Sequence, residues 1–527
     1  MPDSGIVHFE MIFPPMPADT HILHFTEGQN NDYAWKLCNI RERKEDLQST
    51  LPTEWQDITY AQTEMLPTSA FCDDSTKIQV TILNYTPEAA TDIRLSYPII
   101  DMGTTAYGKR YPISQDGKAD INIHPCFPLT IYMQIGDAAK YPILVEPGKD
   151  ISVLIDMRDT NDAMPTMHFK GAWANVNHEM NAKDAKAKVF YRNDKAYYDS
   201  IYTTKTNLNT IINNRISDIS MSYRLSSYHP ATQQYLDLLN SYEICNHCFY
   251  LNNYISTRVS ATLKKEPVNE GILLGINSCN FAYWHESYWK RLLSCNRMTL
   301  CPYFTTAILF DNIPLDEKFK DLDGVINVYN KDIFCLNEAL AHKCSGHDDT
   351  ASHWQKKICD STLNAYCTTA AKRWDDRLIQ MNKTNNVHIC KNNNMRGDAL
   401  RKHIMEEYCG KTVAFIAFNK KRATCLKQLN EVFSLIEQSN HEKSAFIMID
   451  LDLDQDNYDN WYSFATKHKG EYYTDMNQSY HSLFGSRHGA FDEGCYFMIY
   501  SADGTCQLSS RDAALFIEKM KEAIDVR

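Results

Sequence analysis

The sequence predicts a multidomain α+β protein with an N-terminal β-sandwich-like domain, a helical spacer domain and a C-terminal α/β domain. Three observations carry this. Short alternating runs recur between turn signals from about residue 70 to 157; apolar residues then recur at threes and fours to about Met381; and strands alternate with helices over the last part of the chain. At 527 residues the chain is too long for one core, so several domains are expected. The boundaries read as 1–60 for an N-terminal strand segment, 61–165 for the β-domain, 166–385 for the helical domain and 400–527 for the α/β domain.

Val7, Phe9, Met11 and Phe13 fall on one face of an alternating run, the period of a half-buried strand. A strand so close to Met1 suggests an N-terminally truncated reading frame. The β-domain is expected to use Lys77 to Leu83, Ala119 to Ile123, Leu129 to Gln134 and Ile151 to Met157 as strands of an antiparallel sandwich or barrel. Asp116-Gly117 and Pro147-Gly148 serve as its tight turns. In the helical domain Tyr235, Leu238, Leu239 and Tyr242 share one face, as do Trp284, Tyr288, Leu292 and Cys295, with breaks near Pro230, Pro267, Pro302 and Pro314. The Asn-rich stretch from Asn382 to Asn394 reads as a linker.

The last domain is expected to run as strand Val413 to Phe418, helix Cys425 to Gln438, strand Ala445 to Ile449, helix Tyr458 to His468 and strand Tyr496 to Tyr500. An Asp503-Gly504 turn then leads to a hairpin partner, and Ser510 caps a final helix bearing Phe516, Met520 and Ile524.

Composition narrows the function. A formal charge of -12 with no long Lys/Arg block argues against a nucleic-acid binder, since phosphate neutralisation needs a concentrated basic surface. No apolar run reaches the roughly 18 residues of a spanning helix, so no transmembrane segment is expected. The opening MPDSGIVHFEMIF lacks the pattern of a secretory signal. The 17 cysteines are odd in number and scattered, which leaves at least one without an intrachain partner and does not settle the compartment.

GKTVAFIAF at Gly410 to Phe418, CLKQL at Cys425 to Leu429 and FMIYSADG at Phe497 to Gly504 together resemble TlpA-like thiol-disulfide interchange proteins of the Gram-negative bacterial envelope, a thioredoxin-like family. VEPGKDISVLID at Val145 to Asp156 and GAWANVNHEM at Gly171 to Met180 are similar to the family's small β-domain and the first spacer helix. The resemblance implies a C-terminal thioredoxin-like domain, an envelope or periplasmic setting, and protein thiols or disulfides, or a peptide, as partners. It implies no cofactor.

Two departures mark the active site as degenerate. Where the family carries Trp-Cys-Gly-Pro-Cys, this chain has the stretch from Asn419 to Cys425, one residue shorter, with Cys425 matching the second cysteine and Arg422 standing in place of the attacking thiol. The family's cis-proline position falls on Cys495, where a trans peptide and an altered loop are expected because a non-proline cis bond costs about 2.5 to 4 kcal/mol. As the family's cis-proline loop faces its active-site thiols, the resemblance implies that Cys425 and Cys495 approach each other. Residual thiol exchange at these two catalytic candidates is one reading. A redox-inactive scaffold that binds a partner through the thioredoxin-like groove, with both cysteines simply buried, is the other. Lys420, Lys421 and Arg422, with the start of a helix, are expected to favour the Cys425 thiolate.

Other constellations are weaker. Cys245 and Cys248 form a CxxC inside a helical stretch without a second CxxC at zinc-ribbon spacing. His342, Cys344, His347, Asp348 and His353 follow no familiar zinc pattern and read as a polar interhelical loop. Asp450, Asp452, Asp454 and Asp456 lack the glycine and terminal Glu of an EF-hand. No metal site is therefore expected, and neither a phosphate-binding glycine loop nor a GxSxG elbow is present.

Overall fold

The computed structural model describes residues 22–26, 36–41, 50–60, 65–87, 90–135, 140–156, 166–182, 208–223, 228–262, 290–301, 324–390, 398–419, 423–439, 441–451, 458–475 and 495–524, with a few isolated positions besides. The strand expected at Val7 to Phe13 lies outside these residues. Strands β1 (Ile22–Thr26) and β2 (Lys36–Arg41) form an antiparallel ribbon.

Eight strands follow: β3 (Thr76–Leu83), β4 (Asp92–Ile99), β5 (Thr104–Pro112), β6 (Lys118–Ile123), β7 (Leu129–Ile135), β8 (Tyr141–Val145), β9 (Ile151–Asp156) and β10 (Thr166–Gly171). They make two four-stranded sheets, β10-β9-β3-β6 and β5-β4-β7-β8. Strict alternation of exposed and buried residues along β6 turns Ala119, Ile121 and Ile123 inward, where they join Ile78, Val80, Ile93, Leu95, Ile131 and Val153 in one core shared by both sheets. The expectation of a purely antiparallel arrangement is corrected at one place: β3 and β9 run parallel, Ile78 opposite Ile151 through Leu83 opposite Asp156. Both expected glycine turns form, with Gly117 and Gly148 at positive φ.

The helical region contains α1 (Ala174–Met180), α2 (Leu208–Tyr223), α3 (Pro230–Thr262), α4 (Val328–Cys344), α5 (Asp348–Gln355) and α6 (Ser361–Met381). Pro230 opens α3, where its missing N–H costs nothing. Asn327 caps α4 by accepting the N–H groups of Tyr329 and Asn330, and Asp360 caps α6 through those of Thr362 and Leu363. Tyr235, Leu238, Leu239 and Tyr242 are buried, as their spacing predicts, in a core that also takes Leu66, Ile100, Phe127 and Leu144 from the strand-rich segment. No helix among the described residues is long and apolar enough to cross a membrane.

The last region is a mixed six-stranded sheet built from β11 (Val387–Cys390), α7 (Asp398–Glu407), β12 (Thr412–Phe418), α8 (Ala423–Gln438), β13 (Ser444–Asp450), α9 (Tyr458–Lys467), β14 (Glu471–Asp475), β15 (Tyr496–Tyr500), β16 (Cys506–Ser510) and α10 (Ala513–Ile524). Strand order is β11-β14-β13-β12-β15-β16; the first four are mutually parallel, and β15 and β16 are antiparallel additions. Every residue of β12 and β13 is buried, the pattern of central strands covered on both faces. Val413, Phe415 and Ala417 face α7 through Leu400 and Ile404. Ala414, Ile416 and Phe418 face the apolar sides of α8, α9 and α10, and the same core takes Trp374, Leu378 and Met381 from α6.

Two expectations are corrected here, and one strand is added. The Asn382 to Asn394 stretch contains strand β11, paired to β14, rather than serving only as a linker. Strand β14 was not expected, although it completes the sheet. The cap of the final helix is Asp512, whose Oδ1 accepts the N–H groups of Ala514 and Leu515; Ser510 ends β16 and its hydroxyl accepts the Asp512 N–H.

Candidate functional site

Cys425 and Cys495, 70 residues apart in sequence, meet with their sulfurs 2.6 Å from one another. Topology brings them there. Strand β12 ends at Phe418 and the chain enters α8 at Ala423, which puts Cys425 in the first turn of that helix. Strand β15 runs antiparallel to β12 with Tyr496 opposite Ala417, so the residue just before Tyr496 lies at the same sheet end. That residue is Cys495.

The local hydrogen bonds are specific. Asn419 N–H donates to Cys425 Sγ at 3.2 Å, and Cys495 Sγ approaches the Cys425 carbonyl at 3.4 Å. One turn further along α8, Gln428 accepts the Cys495 N–H at 2.8 Å and donates to the Arg511 carbonyl at 3.1 Å. Gln428 thus ties the Cys495 segment to both the cysteine helix and the approach to α10. In the sequence it carries no signal beyond its place three residues after Cys425.

The two thiols are inequivalent. The Cys495 thiol hydrogen-bonds to Cys425 and holds it below the ordinary thiol range, assisted by the Asn419 N–H and opposed by burial and by the Asp450 charge. Cys495 moves the other way, because its hydrogen bond to Cys425, its burial and the neighbouring thiolate all favour its protonated form. Of the two thiols, Cys425 is the one held toward ionisation and Cys495 the one held toward its protonated form. Both residues are 0% exposed. Chemically this is a dithiol able to close to a disulfide, with its nucleophile already selected.

Lys420, Lys421 and Arg422, the expected source of cationic stabilisation, lie outside the described residues, as does Gly494. The remaining candidates lie on other elements, with the His342 and His347 rings edge to face at 5.6 Å. Cys245 and Cys248 sit within the 33-residue helix α3, where Cys245 is buried. His342 and Cys344 end α4, His347 precedes α5, and Asp348 and His353 belong to α5; burial pushes the Cys344 thiol up to about 12. Asp450 is buried at the end of β13, and Asp452, Asp454 and Asp456 lie outside the described residues. No protein-family model and no curated protein matches this chain.

Proposed function

We propose that this chain is a thioredoxin-like protein of the thiol-disulfide interchange type in which the usual CxxC is replaced by a noncontiguous pair, Cys425 and Cys495. The observation that carries the reading is the contact between these sulfurs at the start of α8, 2.6 Å apart. Support also comes from the order strand, cysteine-bearing helix, strand, helix, strand and antiparallel hairpin followed by a helix. In the proposed reaction the Cys425 thiolate attacks a partner disulfide and forms a mixed disulfide, releasing one partner thiolate. The Cys495 sulfur, losing its proton, then attacks Cys425 Sγ and releases the second partner thiol. Two thiols are oxidised to one disulfide, and the partner's disulfide takes up the two electrons and two protons. An envelope setting and protein disulfides as partners belong to the same proposal.

Complete burial of both sulfurs favours a second reading, a redox-inactive scaffold that binds a peptide or protein partner, in which the pair serves only to lock the domain. One experiment separates them. The reduced chain is incubated with a protein disulfide substrate and dithiothreitol, beside Cys425→Ser and Cys495→Ser. Turnover above background that is lost in Cys425→Ser supports exchange. Formation of a Cys425–Cys495 bridge without turnover supports the lock. Failure of any bridge to form under an oxidised glutathione buffer removes both roles for the pair.

A further inference from the structure

The β-sandwich presents a second cluster of ligand-type side chains, distinct from the cysteine pair. Asp101 lies in a 3-10 turn, Ile100–Met102, directly after β4. His124 and Cys126 lie in the segment after β6, and Cys126 is placed by a left-handed backbone, φ 55, uncommon for a residue with a Cβ. One ligand atom from each of Asp101, His124 and Cys126 lies within 4.8 Å of the others. We infer that Asp101, His124 and Cys126 form a zinc-type metal site with a fourth position open to water.

Distances carry the argument. A zinc ion about 2.0 Å from an imidazole nitrogen and about 2.3 Å from a thiolate sulfur, at the tetrahedral angle, sets those ligands about 3.5 Å apart, and a carboxylate oxygen stands about 3.6 Å from the sulfur. Cys126 Sγ is 3.5 Å from His124 Nδ1 and 3.9 Å from Asp101 Oδ1. The two edges at the sulfur already stand close to those of a tetrahedron around an ion, and the third lies within 4.8 Å.

The surroundings orient each ligand as metal centres do. His124 Nε2 is 2.9 Å from Asp73 Oδ1, so the imidazole proton sits on Nε2 and the Nδ1 lone pair points at the sulfur. This is the carboxylate–histidine–metal arrangement that fixes a ligand's tautomer. Arg373 on α6 takes Asp101 Oδ2 at 3.3 Å, leaving Oδ1 turned toward Cys126. Tyr366, also on α6, places its hydroxyl 3.0 Å from Cys126 Sγ, a donor for a ligating thiolate. A divalent ion with the Cys126 thiolate and the Asp101 carboxylate is neutral, and the outer Asp73 and Arg373 charges cancel. Cys126 is fully buried while the Asp101 and His124 side chains are 34% and 31% exposed, so water reaches two of the three ligands. A mixed sulfur, nitrogen and oxygen set suits Zn2+ over the hard cations that take only oxygen.

The test uses Co2+ alone as probe, added to the reduced full-length chain. Wild type is expected to bind one tightly held equivalent with a thiolate-to-cobalt charge-transfer band and intense visible bands of tetrahedral coordination, both displaced by Zn2+. Cys126→Ser loses the charge-transfer band, whereas Cys425→Ser, which disables the other thiol pair, keeps it. Asp73→Asn keeps the band but binds about 10 to 100 times more weakly. His124→Gln, a substitution at a partly exposed residue, supplies a variant whose fold is checked by circular dichroism in metal-free buffer, and it too loses at least tenfold in affinity. A wild-type chain that shows no band, a band that survives Cys126→Ser or vanishes in Cys425→Ser, or unchanged affinity in both His124→Gln and Asp73→Asn would overturn the assignment.

Discussion

Oxidation of Cys425 and Cys495 to a disulfide should stabilise the six-stranded sheet, and the loop it closes sets the size of the effect. The two residues are 70 positions apart. Cross-linking a loop of about 70 residues removes roughly 15 cal/mol/K of entropy from the unfolded ensemble, or about 4.4 kcal/mol at 25 °C in the chain-entropy account. Strand β12 is paired on both sides and entirely buried, so its amides exchange only when the sheet opens. If opening separates the two cysteines, protection of Val413 to Ala417 should rise about a thousandfold between a reducing and an oxidising buffer. Strain in the bridge that consumed half the gain would leave about fortyfold. Hydrogen exchange read by mass spectrometry follows these amides, and peptide mapping verifies the bridge. In Cys495→Ser the difference between buffers should vanish. Equal protection of β12 in a fully bridged and a fully reduced sample would refute the reasoning, because a cross-link that leaves opening unchanged cannot span the unit that opens.

Gln428→Ala removes the acceptor of the Cys495 N–H and should cost about 1 to 3 kcal/mol in urea unfolding while slowing closure of the bridge in glutathione buffer. Phe415, fully buried between α7 and an edge-on contact with Tyr500, should cost about 3 to 5 kcal/mol when replaced by Ala. The rate at which iodoacetamide modifies Cys425 in Cys359→Ser/Cys409→Ser/Cys506→Ser, which lacks three exposed competing thiols, should have its pH midpoint below that of an ordinary thiol, whereas adding Cys495→Ala should shift it upward by removing the principal hydrogen-bond donor. His247, with its pKa lowered to about 4 by burial and by Arg215, binds its proton more weakly in the folded chain than in the unfolded one. Its contribution to stability is therefore complete above pH 6.5 and is lost as pH falls from 6.5 toward 4, to a total of about 3 kcal/mol. Urea midpoints across that window should fall more steeply for wild type than for His247→Gln.

The elements read most easily from the sequence are those whose apolar pattern is long. Strands β12, β13 and β15 and helices α8 and α9 lie within a residue or two of their expected positions, because their buried faces are written in Val, Ile, Phe, Leu and Met, or in α9 in Trp461 and Ala465. Strand β11 escaped because only Val387 and Ile389 alternate, inside a run of asparagines; its pairing with β14 is what makes it a strand. The direction of β3 against β9 was equally hidden, since side chains alternate in the same way in parallel and antiparallel ladders. At the end of the chain Ser510 and Asp512 are both capping residues two positions apart, and the hydrogen bonds decide between them.

At the candidate site, the position of Cys425 at a helix start was legible from the pattern itself. The approach of Cys495 was not; it came only through family resemblance, and local periodicity cannot bring together sulfurs 70 residues apart. The Asp101, His124 and Cys126 cluster shows the same limit. His124 and Cys126 are two apart, but Asp73, Asp101, Tyr366 and Arg373 reach them only through the packing of the strands on α6.

Strand β11 bears on how the protein can be dissected. It follows α6 after a short turn, and Trp374, Leu378 and Met381 of that helix pack into the sheet's own core. A recombinant fragment beginning at residue 400 would strip β14 of its outer neighbour and bare both the strand's hydrogen-bonding edge and a greasy flank above it, the combination that drives insoluble expression. Cloning from Ser361 keeps that guard strand and its helix, and is the sounder starting point for isolating the cysteine pair.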